Sequence, residues 1–143
     1  MPPLINAVVL STDKIRKELT PKPTYRWQER GLIYDVLALL AKYLHNAGIN
    51  CILDATFNTE NSRKGLRHKL ALTPDQFSVV ECICSEDVVV SRLKNREKED
   101  YSDANIFIYR QMKKIYEPVG GEHINPSNVN TKRIANQILK NKV

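Results

Sequence analysis

The chain has 143 residues, 42% of them hydrophobic, enough for one domain with a true core, and its mean hydropathy of -0.40 excludes an integral membrane protein. Apolar stretches of about ten residues fall short of a bilayer span, and Met1-Pro2-Pro3-Leu4 brings no basic leader or cleavage-like segment, so a single cytosolic domain over residues 1–143 is expected. A formal charge of +6, from 22 basic and 16 acidic residues, suits an anionic substrate but does not name one.

Taken in chain order, the first apolar run is Ala7-Val8-Val9-Leu10, a strand that ends in Ser11-Thr12-Asp13 and so carries a carboxylate at its tip. Residues 13–19 read as a short helix that Ser11, Thr12 or Asp13 can cap, and Thr20-Pro21-Lys22-Pro23-Thr24 breaks it. Trp27, Ile33, Val36, Leu37, Leu40, Tyr43, Leu44 and Ala47 recur at helical spacing and predict a long amphipathic helix over residues 25–46, ended by Gly48 in the left-handed conformation. The run from Asn50 through Cys51-Ile52-Leu53 to Asp54-Ala55-Thr56 predicts a second strand with a carboxylate at its tip, buried on both faces as in a parallel sheet.

After the loop Phe57-Asn58-Thr59-Glu60-Asn61 comes a basic helix over residues 62–72, punctuated by Thr73-Pro74-Asp75. A third strand is predicted over residues 77–84, then a helix over residues 86–98 capped by Ser85. Another helix is predicted over residues 103–116, stopped by Pro118 and Gly120-Gly121. His123-Ile124-Asn125-Pro126 is a weak strand candidate, and residues 131–142 make a last helix. Strands alternating with helices define an α/β fold with a mainly parallel sheet, helices on both faces and right-handed crossovers. The three cysteines cannot form a full disulfide framework; Cys82 and Cys84 alternate along a strand, and buried, reduced thiols are expected.

Strand-tip acids at switch points are where open α/β sheets place their chemistry. Asp13 and Arg16, three apart on one helix, share a face: the carboxylate can take a proton from a hydroxyl and the guanidinium can hold an anionic group, while a helix cap beside a surface arginine is the plainer alternative. Asp54 sits where a carboxylate reaches a magnesium ion or orients a nucleophile, or else begins a turn. Asn58, Asn61 and Arg63 follow at loop spacing and are candidates to line a substrate pocket. Arg92 and Arg96, one helical turn apart, suit polyphosphate oxygens or form a solvated basic face. Arg63, Lys64, Arg67, His68 and Lys69 make a basic helix without interleaved aromatics, a weak signal for nucleic acid. His45 and His123 have no partner at metal-ligand spacing, and His68 lies among cations that disfavour a bound metal.

Together, in this order, these segments resemble the small P-loop kinases of the AAA-type ATP-binding family that includes polynucleotide kinase, phosphoseryl-tRNA kinase and zeta-toxin-like relatives. Ser11-Thr12-Asp13-Lys14-Ile15-Arg16 is similar to a Ser-x-Asp-x-x-Arg pattern in which the acid acts on the acceptor hydroxyl and the arginine binds substrate. The run Arg30-x-x-x-Tyr34, the strand through Asp54-Ala55-Thr56 and Arg63 resemble a second block, in which an Asp-[Ala/Asp]-Thr is followed by a substrate-side arginine. The segment from Arg92 to Arg96 resembles a lid whose arginines contact ATP, and Ser102-Asp103-Ala104 and Tyr116-Glu117-Pro118 resemble a further stretch.

The resemblance implies a three-layer αβα P-loop NTPase-like fold and ATP-dependent phosphoryl transfer to a hydroxyl on a small molecule or nucleic acid. Catalytic roles fall to Asp13 and Asp54, the latter acting on Mg2+ indirectly; Arg16, Thr56, Asn58 and Arg63 fall to substrate, and Arg92 and Arg96 to ATP. One departure is plain: none of the five glycines, Gly31, Gly48, Gly65, Gly120 and Gly121, precedes a lysine, so the chain has no Walker A loop. With only residues 1–6 ahead of the first predicted strand, the expectation is that the first, central strand and its phosphate loop are missing as a unit. The chain alone is then expected to be inactive: either it is the truncated, later part of a longer kinase, or its open slot is taken by a complementing N-terminal segment or a second copy. A non-catalytic nucleic-acid-binding or regulatory module that keeps the fold is the competing expectation.

Overall fold

The computed structural model describes residues 6–96, 104–120, 123–124 and 136. Strand β1, Ala7–Ser11, passes directly into helix α1, Thr12–Leu19. Helix α2, Trp27–Asn46, leads back to strand β2, Asn50–Asp54. Helix α3, Glu60–Leu70, is followed by strand β3, Glu81–Cys82, helix α4, Glu86–Lys94, helix α5, Ile106–Ile115, and strand β4, His123–Ile124. The helix expected over residues 86–98 ends at Lys94, with Asn95 as its C-cap and Arg96 non-helical, and residues 97–98 lie outside the described residues; of the helix expected over residues 131–142, only residue 136 is described.

Local chemistry accounts for these boundaries. Helix α2 begins at Trp27, two residues after the start expected from its spacing, because Tyr25 takes φ 56, a left-handed conformation that cannot continue into a helix. Gly48, at φ 74, ends it as expected. Thr59 Oγ1 accepts from the Ser62 main-chain N–H at 3.2 Å and starts α3 earlier than the basic run suggests. In the same way the Asn105 carboxamide caps α5 through the Ile108 N–H at 2.9 Å. Ser11 and Ser85 occupy the cap positions of α1 and α4, but neither hydroxyl makes a capping bond.

All strand pairing is parallel, as expected, yet the described strands form two separate ribbons, β1 with β2 and β3 with β4. Register places Val9 beside Ile52, Leu10 beside Leu53 and Ser11 beside Asp54. On one side of the first ribbon Leu10 and Leu53 pack with Phe57, Leu72 and Phe77 against Ala38, Ala41, Leu66 and Leu70 of α2 and α3. Ile33 and Leu37 are fully buried on the same apolar stripe of α2.

The other side of this ribbon corrects the expectation of a strand buried on both faces: Val9 is 56% and Ile52 43% exposed. Among the described residues helices cover one face only, and a two-stranded ribbon has no inner strand to shield its edges. The third strand is likewise shorter than its composition implies. Residues 77–80 are extended without a ladder partner, and only Glu81 and Cys82 pair.

Candidate functional site

The register of β1 against β2 brings the two strand-tip acids into one neighbourhood. Ser11 pairs with Asp54, Thr12 Oγ1 donates to the Asp54 carbonyl at 3.5 Å, and Asp13 lies in the first turn of α1 just beyond. Asp54 itself is exposed. Arg16 Nη1 donates to Asp13 Oδ1 at 3.0 Å, so the expected shared face is real and the two side chains hold each other. The Arg16 guanidinium also stacks over the Tyr25 ring at 5.5 Å from its centroid. Behind it, the Thr24 main-chain N–H and hydroxyl both donate to Glu29 Oε2 at 2.7 Å, which lowers the pKa of Glu29, with Arg16 adding to the effect. The strained Tyr25 thus folds the 20–26 turn back over the strand tips.

The loop after β2 is built from α2. Phe57 N donates to Tyr34 Oη at 3.3 Å, Tyr34 Oη and Thr56 Oγ1 share a hydrogen bond of 3.2 Å, and the two rings meet edge-on at 5.3 Å. Asn58 then donates through Nδ2 to Met112 Sδ of α5 at 3.0 Å. Arg63 is only 8% exposed, and its donors are committed to main-chain oxygens: Nη1 to Phe57 at 2.7 Å, Nη2 to Glu117 at 2.9 Å and to Pro118 at 3.4 Å. It ties the loop to the segment after α5, which Glu117 reinforces by donating its own N–H to the Asn58 carbonyl at 2.7 Å.

Arg92 and Arg96 are not brought to the strand tips by any contact among the described residues. Arg92 is exposed on α4, and Arg96, just beyond that helix, donates to the Ala104 carbonyl at 2.9 Å. An open groove of about 620 Å³ between α4 and α5 is lined by Glu86, Asp87, Lys94, Asn95 and Arg110 and contains neither arginine. The basic helix α3 also presents fewer bare cations than its sequence suggests, since Lys64 pairs with Glu60 at 2.7 Å, Lys69 pairs with Asp35, and Arg63 is buried.

A further polar pair sits at β3, and its acid, Glu81, was not singled out by the sequence. Tyr116 Oη donates to the buried carboxylate of Glu81 on β3, and burial, with Glu81 adding to it, pushes the Tyr116 pKa up to about 12. Burial raises the Cys82 thiol, and the Asp54 carboxylate acts in the same direction. The thiols are free as expected, but Cys82 is exposed and Cys51 and Cys84 are only half-buried.

The Tyr116 shift sets an alkaline dependence. A hydroxyl whose pKa rises from 10.0 to about 12 on folding contributes stability that is complete below pH 10 and is lost as pH rises toward 12. Tyr116→Phe is expected to be less stable than the parent at about pH 8 and to close that difference by about pH 12, read by urea denaturation at each pH. A difference independent of pH would overturn the assignment.

A lone exposed carboxylate at Asp54 fits magnesium, which takes one or two carboxylates and completes its shell with water and phosphate oxygens. Among the described residues no three metal-ligating side chains cluster. Among the described residues no glycine-rich loop precedes a helix to hold the polyphosphate of a nucleotide.

This parallel α/β arrangement, with acids at adjacent strand tips, is consistent with a P-loop NTPase-like domain. A family profile described as an AAA domain matches residues 2–119, and the chain belongs to that family. No match was found among curated proteins. Members of this P-loop class typically bind nucleotide with Mg2+. Among the described residues no helix is long and apolar enough to cross a membrane.

Proposed function

We propose that the chain carries the acceptor half of a phosphotransferase site, acting on a hydroxyl of a small molecule or nucleic acid once a phosphate cradle is supplied. The observation that carries the reading is the register of β1 and β2, which sets Asp13 and Asp54 at neighbouring tips with Arg16 on the Asp13 side. Asp13 accepts the proton of the acceptor hydroxyl, Arg16 releases it on engaging an anionic group of that substrate, and Asp54 supports the magnesium side. Thr56 and Asn58 line the acceptor side, Arg63 holds their loop in place, and Arg92 and Arg96 serve as lid cations over the nucleotide. The metal and nucleotide, when bound, supply charge neutralisation and the transferable phosphoryl group.

The cradle enters between β2 and β3. Both ribbons are parallel and each ends in an edge without a ladder partner among the described residues. Ile52 of β2 and Val79, Val80 and Ile83 around β3 are each 39% exposed or more, as apolar positions that a further segment would cover. A complementing N-terminal segment, strand first and then a glycine-rich loop and helix, joins both edges with one parallel strand. A second copy related by a two-fold axis would instead lay its edge strand antiparallel.

Co-expression with such a strand–loop–helix segment is expected to give a complex that binds ATP, measured as a nucleotide-dependent rise in Tm, where the chain alone shows none. Millimolar or tighter ATP binding by the monomeric chain would sink the proposal. In the competing, non-catalytic reading, filter binding to RNA has a steep salt slope and complementation produces no turnover.

A further inference from the structure

Arg30 and Tyr34 lie one turn apart on α2 and share the face turned to the loop after β2. Phe57 holds that loop in an unusual shape. Its φ of 40 is left-handed for a bulky residue, and the strain is offset by the Tyr34 hydroxyl on its N–H and the Arg63 guanidinium on its carbonyl. The strained turn sends Asn58 toward α5, where its Nδ2 lies 3.0 Å from Met112 Sδ. Arg30 Nη2 approaches the same sulfur at 3.9 Å.

Two donors, one of them charged, therefore converge on a thioether, which is a weak acceptor. Arg30 is half-buried and, among the described residues, has no carboxylate partner. A guanidinium taken partly out of water and given only sulfur is poorly compensated, whereas an oxyanion would satisfy it and the Asn58 amide together. Methionine is unbranched and flexible, so the sulfur can swing aside without disturbing α5.

We propose that Arg30 and Asn58 form a phosphate-monoester subsite for the acceptor and that Met112 fills it as a displaceable plug when no substrate is bound. Thr56, bonded to Tyr34 and two residues past Asp54, links this subsite to the strand tips. The inference rests on the phosphotransferase reading for what carries the phosphate group, while binding of the group itself can be measured without turnover.

The test uses the chain as it stands. Its two methionines are Met1 and Met112, so the Met112 methyl resonance of a methyl-labelled sample is assigned by its loss in Met112→Leu. Inorganic phosphate, titrated at constant ionic strength, is expected to shift that resonance saturably with about millimolar Kd, and acetate about tenfold more weakly. Arg30→Gln is expected to remove the response. Met112→Leu, which deletes the competing acceptor at similar volume, is expected to show a several-fold larger phosphate-dependent rise in Tm.

An unsaturable shift, or the same shift in Arg30→Gln, would overturn the subsite. Should Arg30→Gln fail to fold, Met112→Leu decides, since a phosphate response no greater than that of the parent overturns it as well. Phosphate binding without phosphoryl transfer in the complemented protein would keep the subsite and discard the kinase reading; turnover without phosphate binding would do the reverse.

Discussion

In the cradle-complemented protein, Asp13→Asn is expected to lower kcat for phosphoryl transfer by about 10²–10⁴-fold, with little change in KM for the acceptor. Asparagine keeps the shape of the side chain and can still accept a hydrogen bond from Arg16, so α1 and the strand tips stay in place. It cannot take the acceptor's proton, and that loss is felt only as the hydroxyl attacks. Arg16 sharpens the test, because it lies 3.0 Å from Asp13 without substrate and must leave the carboxylate free when substrate arrives. Arg16→Lys is therefore expected to raise KM more than it lowers kcat, because an ammonium cannot reproduce the planar fork. Unchanged turnover in Asp13→Asn would remove Asp13 from the chemistry and leave it as an ion-pair partner at the start of α1.

Arg63→Ala is expected to destabilise the chain by roughly 2–4 kcal/mol, seen as a fall of about 10 °C in Tm and a lower urea midpoint. The guanidinium reaches three main-chain carbonyls, of Phe57, Glu117 and Pro118, at 2.7 to 3.4 Å in a site that is 8% exposed. Removing it strands those oxygens and frees the left-handed turn at Phe57 that it helps to hold. Arg63→Lys restores only part of the loss, because a single ammonium cannot span acceptors on two separate segments. A change below about 0.5 kcal/mol in the alanine variant would show that water replaces the side chain at no cost and that Arg63 is available to a ligand after all.

How much of the site was legible varies with the range of the interaction. Asp13 and Arg16 were found as a pair from their spacing because both lie on one helix, where three residues bring side chains together whatever the rest of the chain does. Asp54 was found because an acid closing an apolar run marks a strand tip. Arg63 was chosen as a basic residue at loop spacing, but its burial and its bonds across 54 and 55 residues to Glu117 and Pro118 leave no trace in local pattern. Met112 and Glu81 were missed for the same reason: a methionine on a helical face and a glutamate in a strand signal nothing until another segment brings Asn58 or Tyr116 against them. The spacing of Arg30 and Tyr34 was the one available clue to the α2 face that supports the loop.

Apolar periodicity and breakers, acting within a few turns of chain, were enough to place the described helices to within a few residues, the first two strands and the two acidic tips, whereas the side chains that cap, Thr59 and Asn105, were not the ones expected. Which edges pair, and which faces go uncovered, depended on contacts between distant segments, and only the tertiary structure decided them. Ile52 has the sequence of a doubly buried strand residue, yet it stands 43% exposed because burial requires a neighbouring layer as well as an apolar side chain. The division of the sheet into two parallel ribbons has the same origin: hydrophobic pattern fixes the character of a strand, whereas its partners are set by the segments that fold beside it.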